Sequence, residues 1–183
     1  MSTSHILRTH SKRLNADIKA LADDPPSPYI RYLVDQSNMD HWFFMIIGEP
    51  DSPMEGGEYI GQLVIPPDYP YHPIDFVMLT PSGRFKTDVK ICFDITGYHK
   101  DSWSASWRVP SLLIAFMSMM VMMVPAHDVP VGHLACTSES IREMVPIARE
   151  YNEQTFPKAL ELFRRTTSIH VGSLEELEHR IRN

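Results

Sequence analysis

Thiols are scarce: Cys92 and Cys136 are the only cysteines in 183 residues. Two cannot build the multi-bridge framework of a small secreted scaffold. There is no Cys-x-x-Cys pair and no His-Glu-x-x-His helix. The nearest cluster of metal-ligand types, His127, His133 and Cys136, lacks metal-site spacing, so no metal is expected. Long apolar runs are also missing. Leu112 to Val124 is about 13 residues, broken by Ser118, against the roughly 20 that cross a bilayer, which predicts a core helix and no membrane span in this chain. The opening MSTSHILRTHSKRLNADIKALADD has no apolar stretch ending in small residues, so a secretory signal is not expected and a cytosolic start is. Positive charge is in deficit: a net charge of −6 and a pI of about 5.8 argue against a nucleic-acid partner, which calls for a basic face. Internal repeats and low-complexity tracts are absent.

What remains is ordinary globular composition, 43% hydrophobic and 22% charged, enough for one core. Leu7, Leu14, Ile18 and Leu21 recur at helical spacing, with Arg8, Lys12 and Lys19 together on another side. Asp24-Pro25-Pro26 stops this amphipathic helix. Four strands are predicted next: residues 30–35, the apolar run HWFFMII over 41–47, a third around Tyr59, Leu63 and Ile65, and a fourth around Ile74, Phe76 and Met78. Their short connections favour an antiparallel meander, and PPDYPYHP forms a rigid projecting turn. A helix over 109–124 follows, its methionines 117, 119, 120, 122 and 123 read as core packing. Two more helices carry Ile141, Met144, Val145 and Ala148, then Phe156, Ala159, Leu160 and Phe163. Pro146 is expected to kink or shorten the first, and Thr155 to cap the second with Pro157 in its first turn. Ser173 and Glu176 make a capping box for a short helix in a charged tail.

Between the fourth strand and the central helix lies TPSGRFKTDVKICFDITGYHKDSW, long and without periodicity, as functional loops often are. On pattern alone Cys92 is open to two readings, a buried strand cysteine between Ile91 and Phe93 or a nucleophile.

The local words resemble the ubiquitin-conjugating enzymes over residues 10–165. EPDSPMEGGEYIGQLVIPPDYPYHP is similar to the family's Gly-Pro-x-x-x-Pro-x-x-Gly-Gly-x-Tyr stretch and Tyr-Pro-x-x-Pro turn, KICFDI to its Ile-Cys-Leu-Asp-Ile segment, and DSWSASW to its Trp-Ser-Pro-Ala loop. Thr80-Pro81-Ser82-Gly83-Arg84-Phe85 stands in place of His-Pro-Asn. That is similar to the divergent branch associated with endoplasmic-reticulum degradation, which has Thr-Pro-Asn-Gly-Arg-Phe and a His-containing segment after the cysteine, here ITGYHKDSW.

The resemblance implies an α+β fold: an N-terminal helix, a four-stranded antiparallel meander, an active-site loop, a central helix and C-terminal helices. The catalytic core would span 7–165 and a charged tail 166–183. It implies an enzyme, an acyltransferase that takes ubiquitin from the activating enzyme as a thioester on Cys92 and passes it, with a ligase, to lysine, or to serine or threonine, of protein substrates in quality control. ATP is used upstream, so no cofactor is expected here. For acceptor activation His99 is first choice, a surface-loop histidine without a role being the alternative; Asp94, Asp101, His127 and Asp128 follow. Ser82 occupies the usual asparagine position with a shorter side chain and one donor. Ligase contacts fall to Tyr71, Ser106 and Trp107, and activating-enzyme contacts to Arg8, Lys12 and Lys19. The branch is usually held to the membrane by a C-terminal hydrophobic helix, so the implied location is cytoplasmic, or the cytosolic face of the endoplasmic reticulum where such an anchor follows. The alternatives are a catalytically silent binding module of the same fold, and a thiol or metal-dependent enzyme on another fold.

Overall fold

The computed structural model describes residues 3–93, 96–97 and 100–174. Helix α1 spans Thr3–Asp23 and turns His10, Leu14, Asp17 and Leu21 inward at three- and four-residue steps, leaving Arg8, Lys12 and Lys19 exposed. Strands β1 (Ile30–Asp35), β2 (His41–Ile47), β3 (Glu58–Val64) and β4 (Asp75–Met78) form the expected antiparallel meander. The helices that follow are α2 (Val109–Met120), α3 (Ser138–Thr155) and α4 (Pro157–Arg165).

The fold is α+β, with helices on both faces of the sheet. Tyr32, Val34, Trp42, Phe44, Tyr59 and Phe76 belong to a core shared with α1 and α2; Leu33, Phe43, Met45 and Ile60 pack with Phe156, Leu160 and Phe163 beside α4. Strand β2 is buried on both faces from Trp42 to Ile46, which is why its sequence is a continuous apolar run and not an alternation.

Several expectations are corrected. A fifth strand, β5 (Ile169–Gly172), lies parallel to β1 and gives the order β4-β3-β2-β1-β5, in the segment read as tail. Helix α2 stops at Met120, because the chain turns so that the Cys136 N–H can donate to the Val124 carbonyl at 3.0 Å. Met122 and Met123 are therefore 58% and 41% exposed and are not core, whereas Met120 is buried. Pro146 does not shorten α3: it sits on the exposed side, where its carbonyl four residues back can meet water. Thr155 ends α3 and Phe156 holds the N-cap position of α4, with Pro157 in its first turn. The helix expected from Ser173 lies outside the described residues after Leu174.

Asp17 joins three elements. Its carboxylate is fully buried and accepts from Arg108 Nε at 2.6 Å, from the Tyr69 hydroxyl at 2.9 Å and from the Val109 N–H at 3.4 Å. Arg13 lies 3.6 Å from the same carboxylate and donates to the Trp107 carbonyl at 2.5 Å, while Trp103 Nε1 donates to the Pro70 carbonyl at 2.9 Å. Helix α1, the 66–73 turn and the start of α2 thus share one polar hub. Burial, then the Asp17 charge, push the Tyr69 phenol up and keep it a donor. Removing the carboxylate strands these donors, so Asp17→Ala should cost about 3 kcal/mol, read by urea unfolding, and Asp17→Asn less.

Candidate active site

After β4 the chain turns sharply. The Ser82 hydroxyl, fully buried, accepts from the Arg84 and Phe85 N–H groups at 3.3 and 3.2 Å, and Gly83 takes a positive φ of 72°. Phe85 stacks on Phe116 of α2 with ring centroids 5.2 Å apart. The chain then returns along β4, with the Ile91 N–H donating to the Phe76 carbonyl at 3.0 Å. Ile91 is buried and Phe93 packs on Phe76 and Phe116, so two apolar anchors flank Cys92 and turn it toward a cleft of about 580 Å³. Cys92 is half-buried there, and neither cysteine is disulfide-bonded.

Arg84, Asp128, His133, Trp107 and Met122 line the same cleft. The Cys92 N–H donates to the Val131 carbonyl at 2.9 Å, and His133 Nε2 lies 2.8 Å from the Cys92 carbonyl. Arg84 Nη1 is 2.8 Å from His133 Nδ1. Gly132 makes this approach possible: its φ is +80°, and a β-carbon there would stand 2.6 Å from the Lys90 carbonyl oxygen.

The expected site residues separate. Cys92 and Asp128 share the cleft; His127 is exposed and does not line it; Asp101 is exposed in the 3-10 turn Lys100–Ser102. Ser82 lies beneath the turn with its hydroxyl facing loop backbone, and it is not part of the cleft wall. His99 and Asp94 lie outside the described residues. Tyr71 is half-buried, Ser106 exposed and Trp107 half-buried against the core. Among Arg8, Lys12 and Lys19, all exposed, Lys19 pairs with Asp23. No group of three His, Cys, Asp or Glu suited to a metal occurs among the described residues. His133, weighed as a ligand, has both ring nitrogens engaged.

Neither Arg84 nor His133 carries a site signal of its own in the sequence. Arg84 stands inside the motif at 80–85, but nothing in spacing points to a partner so distant in sequence. Burial first, then the Arg84 cation, hold the His133 imidazole below its ordinary value of 6.5, against the opposing Cys92 carbonyl; burial likewise lowers Arg84, with Cys136 opposing. A lowered folded value means that the unfolded chain takes up the proton first on acidification. The stability His133 confers is whole above 6.5 and is lost as pH falls toward the lowered folded value. Thermal melts should show wild type losing stability relative to His133→Gln below that pH, and parallel curves would contradict it.

The sequence matches a family model and several curated proteins. The family model described as ubiquitin-conjugating enzyme matches residues 13–145. The chain is 32% identical over 169 residues to Ubiquitin-conjugating enzyme E2 6 of Eremothecium gossypii, covering 92% of this chain and 68% of that protein. It is 34% identical over 156 residues to the protein of the same name from Schizosaccharomyces pombe, 83% of this chain and 65% of the relative. To Ubiquitin-conjugating enzyme E2 J2 of Bos taurus it is 36% identical over 124 residues, 66% of this chain and 48% of the relative. The chain thus spans about two thirds or less of these relatives' length. No helix among the described residues is long and apolar enough to cross a membrane.

Proposed function

Because this chain belongs to the ubiquitin-conjugating enzyme family, we propose that Cys92 carries ubiquitin as a thioester between an activating enzyme and an acceptor. The Cys92 thiolate attacks the carbonyl carbon of the activating enzyme's ubiquitin thioester and expels that enzyme's thiolate. An acceptor amine or hydroxyl then attacks the Cys92 thioester, loses its proton to solvent or a nearby base, and expels the Cys92 thiolate. No oxidant, metal or nucleotide is consumed in either step; ATP is used upstream.

The observation that carries this reading is the placing of Cys92, half-buried at a cleft mouth, with buried Ile91 and ring-packed Phe93 fixing its direction. A cysteine that merely filled space would point into that core. Asp128, in the same cleft, is the described carboxylate available to accept an acceptor's hydrogen bond; the first-choice His99 lies outside the described residues. Trp107 and Ser106, with Tyr71, form the ligase-facing loops, and exposed Arg8, Lys12 and Lys19 the face for the activating enzyme. The branch resemblance supports work in protein quality control, in the cytoplasm, or at the cytosolic face of the endoplasmic reticulum where a membrane anchor follows.

Incubation with ubiquitin, activating enzyme and ATP should give an adduct lost with reductant in wild type and in Cys136→Ser. Cys92→Ser should give none, or a reductant-stable ester. No adduct beside a working control enzyme would favour a silent binding module. Reversing charge at Arg8 and Lys12 together should slow charging severalfold, more at low salt, since exposed charges act mainly on association rate; unchanged rates would remove that face from the interaction.

A further inference from the structure

One three-residue segment takes both polar groups of the Cys92 peptide. Val131 accepts its N–H at 2.9 Å, and His133 Nε2 meets its carbonyl at 2.8 Å. The segment and the residue after it are fixed to the loop before the cysteine: the Lys86 N–H donates to the Gly132 carbonyl at 2.9 Å, and the Leu134 N–H to the Arg84 carbonyl at 3.0 Å. The side chains then close the circuit through Arg84 and His133.

Chemistry settles the proton's place. A guanidinium has only donors and keeps its charge, so His133 Nδ1 must offer its lone pair to Arg84 Nη1. The single ring proton therefore sits on Nε2 and points at the Cys92 carbonyl.

Arg84 is a costly way to fill this space. It is 2% exposed, its Nε is buried without a hydrogen-bond partner, and among the described residues it makes no ion pair. The Phe85 ring face 4.5 Å from its guanidinium carbon offsets part of the desolvation, and His133 meets the same ring edge-on at 5.1 Å. An aliphatic side chain would pack here without that cost.

We propose that Arg84 and His133 are positioning residues that hold the Cys92 main chain, and so the direction of the bond from Sγ to the ubiquitin carbonyl, for transfer. This rests on the reading that Cys92 carries the thioester. A reacting carbon displaced from the acceptor's path by an ångström loses much of its rate, so the value of the relay lies in geometry. The Arg84 charge, acting through a neutral ring, also favours the negative charge that grows on the departing sulfur.

The relay opens on the acid side. Protonated His133 has no lone pair for Arg84 and sets two cations together. The titratable and charged groups facing it are Arg84 from the loop, Cys92 from the extended segment and Asp128 across the cleft, with Cys136 beside Arg84.

The test compares the whole chain as wild type, His133→Gln, His133→Phe and Arg84→Met, each first shown to melt cooperatively. A glutamine amide can accept from Arg84 and donate to the Cys92 carbonyl without titrating; phenylalanine fills the space and does neither. Each is charged with ubiquitin and discharged in a single turnover over a range of lysine concentrations and pH. His133→Phe and Arg84→Met should lower the maximal rate roughly ten- to a hundredfold with half-saturating lysine unchanged. His133→Gln should restore it to within about threefold of wild type and lose the extra fall in rate at acid pH that His133 protonation adds to the acceptor amine's own titration. A wild-type rate in His133→Phe, a glutamine variant as slow as phenylalanine, or an effect confined to half-saturating lysine would overturn the proposal. Ring nitrogen shifts of wild-type His133 need no ubiquitin: a bare Nδ1 and protonated Nε2 persisting below pH 6.5 are expected, and the opposite tautomer or ordinary titration would refute the relay. If His133→Phe does not fold, Arg84→Met and these shifts decide. If wild type never charges, the thioester reading fails and the shifts alone judge the relay.

Discussion

The hydrogen bonds on the two sides of the Cys92 peptide are the constraint around which the cleft is built. An extended strand can normally slide or twist to relieve a neighbour, but here the N–H is committed to Val131 and the carbonyl to His133. Gly132 is what lets one segment reach both, since a β-carbon there would collide with the chain it serves. The apolar side of the same arrangement is equally fixed, because Phe76, Phe85 and Phe93 all contact Phe116, so a rotation of the cysteine segment would have to unpack a ring cluster.

Helix α2 is the strut between this clamp and the second polar centre. Its first residue donates to Asp17, its middle carries Phe116, and just past its end Val124 pairs with Cys136. The turns at 66–73 and 104–108, proposed to meet a ligase, are therefore tied to the same element that backs the cysteine. Arg13, Arg108 and Tyr69 reach the buried carboxylate from different parts of the chain. Such a centre gives little net stability over apolar packing, yet it admits few alternative arrangements, which suits a surface that must keep its shape.

Much of the fold was legible because it is written locally. The apolar, β-branched and aromatic residues of β1 and β3, the helical stripe of α1 and the Pro and Gly clusters between strands each carry their own signal. Strand β5 was not legible, since four residues are too few for a period and its partner β1 lies far away in sequence. Met122 and Met123 misled for a related reason: an apolar run does not announce the point where a helix ends because the Cys136 N–H, further along the chain, pairs with the Val124 carbonyl. At the site, pattern alone left Cys92 between a buried strand cysteine and a nucleophile, and the words around it carried the resemblance that singled it out. The link from Arg84 to His133 spans 49 positions and depends on a tautomer, which no spacing encodes.

Ser82 and Arg84 divide what a single amide could otherwise attempt. The serine hydroxyl accepts two loop N–H groups, so its lone pairs are spent on shaping the turn, and it lies off the cleft. Two positions later the arginine, itself buried from water, brings a full positive charge to the cleft wall. A fixed charge in such a place stabilises developing negative charge more than a hydroxyl dipole can.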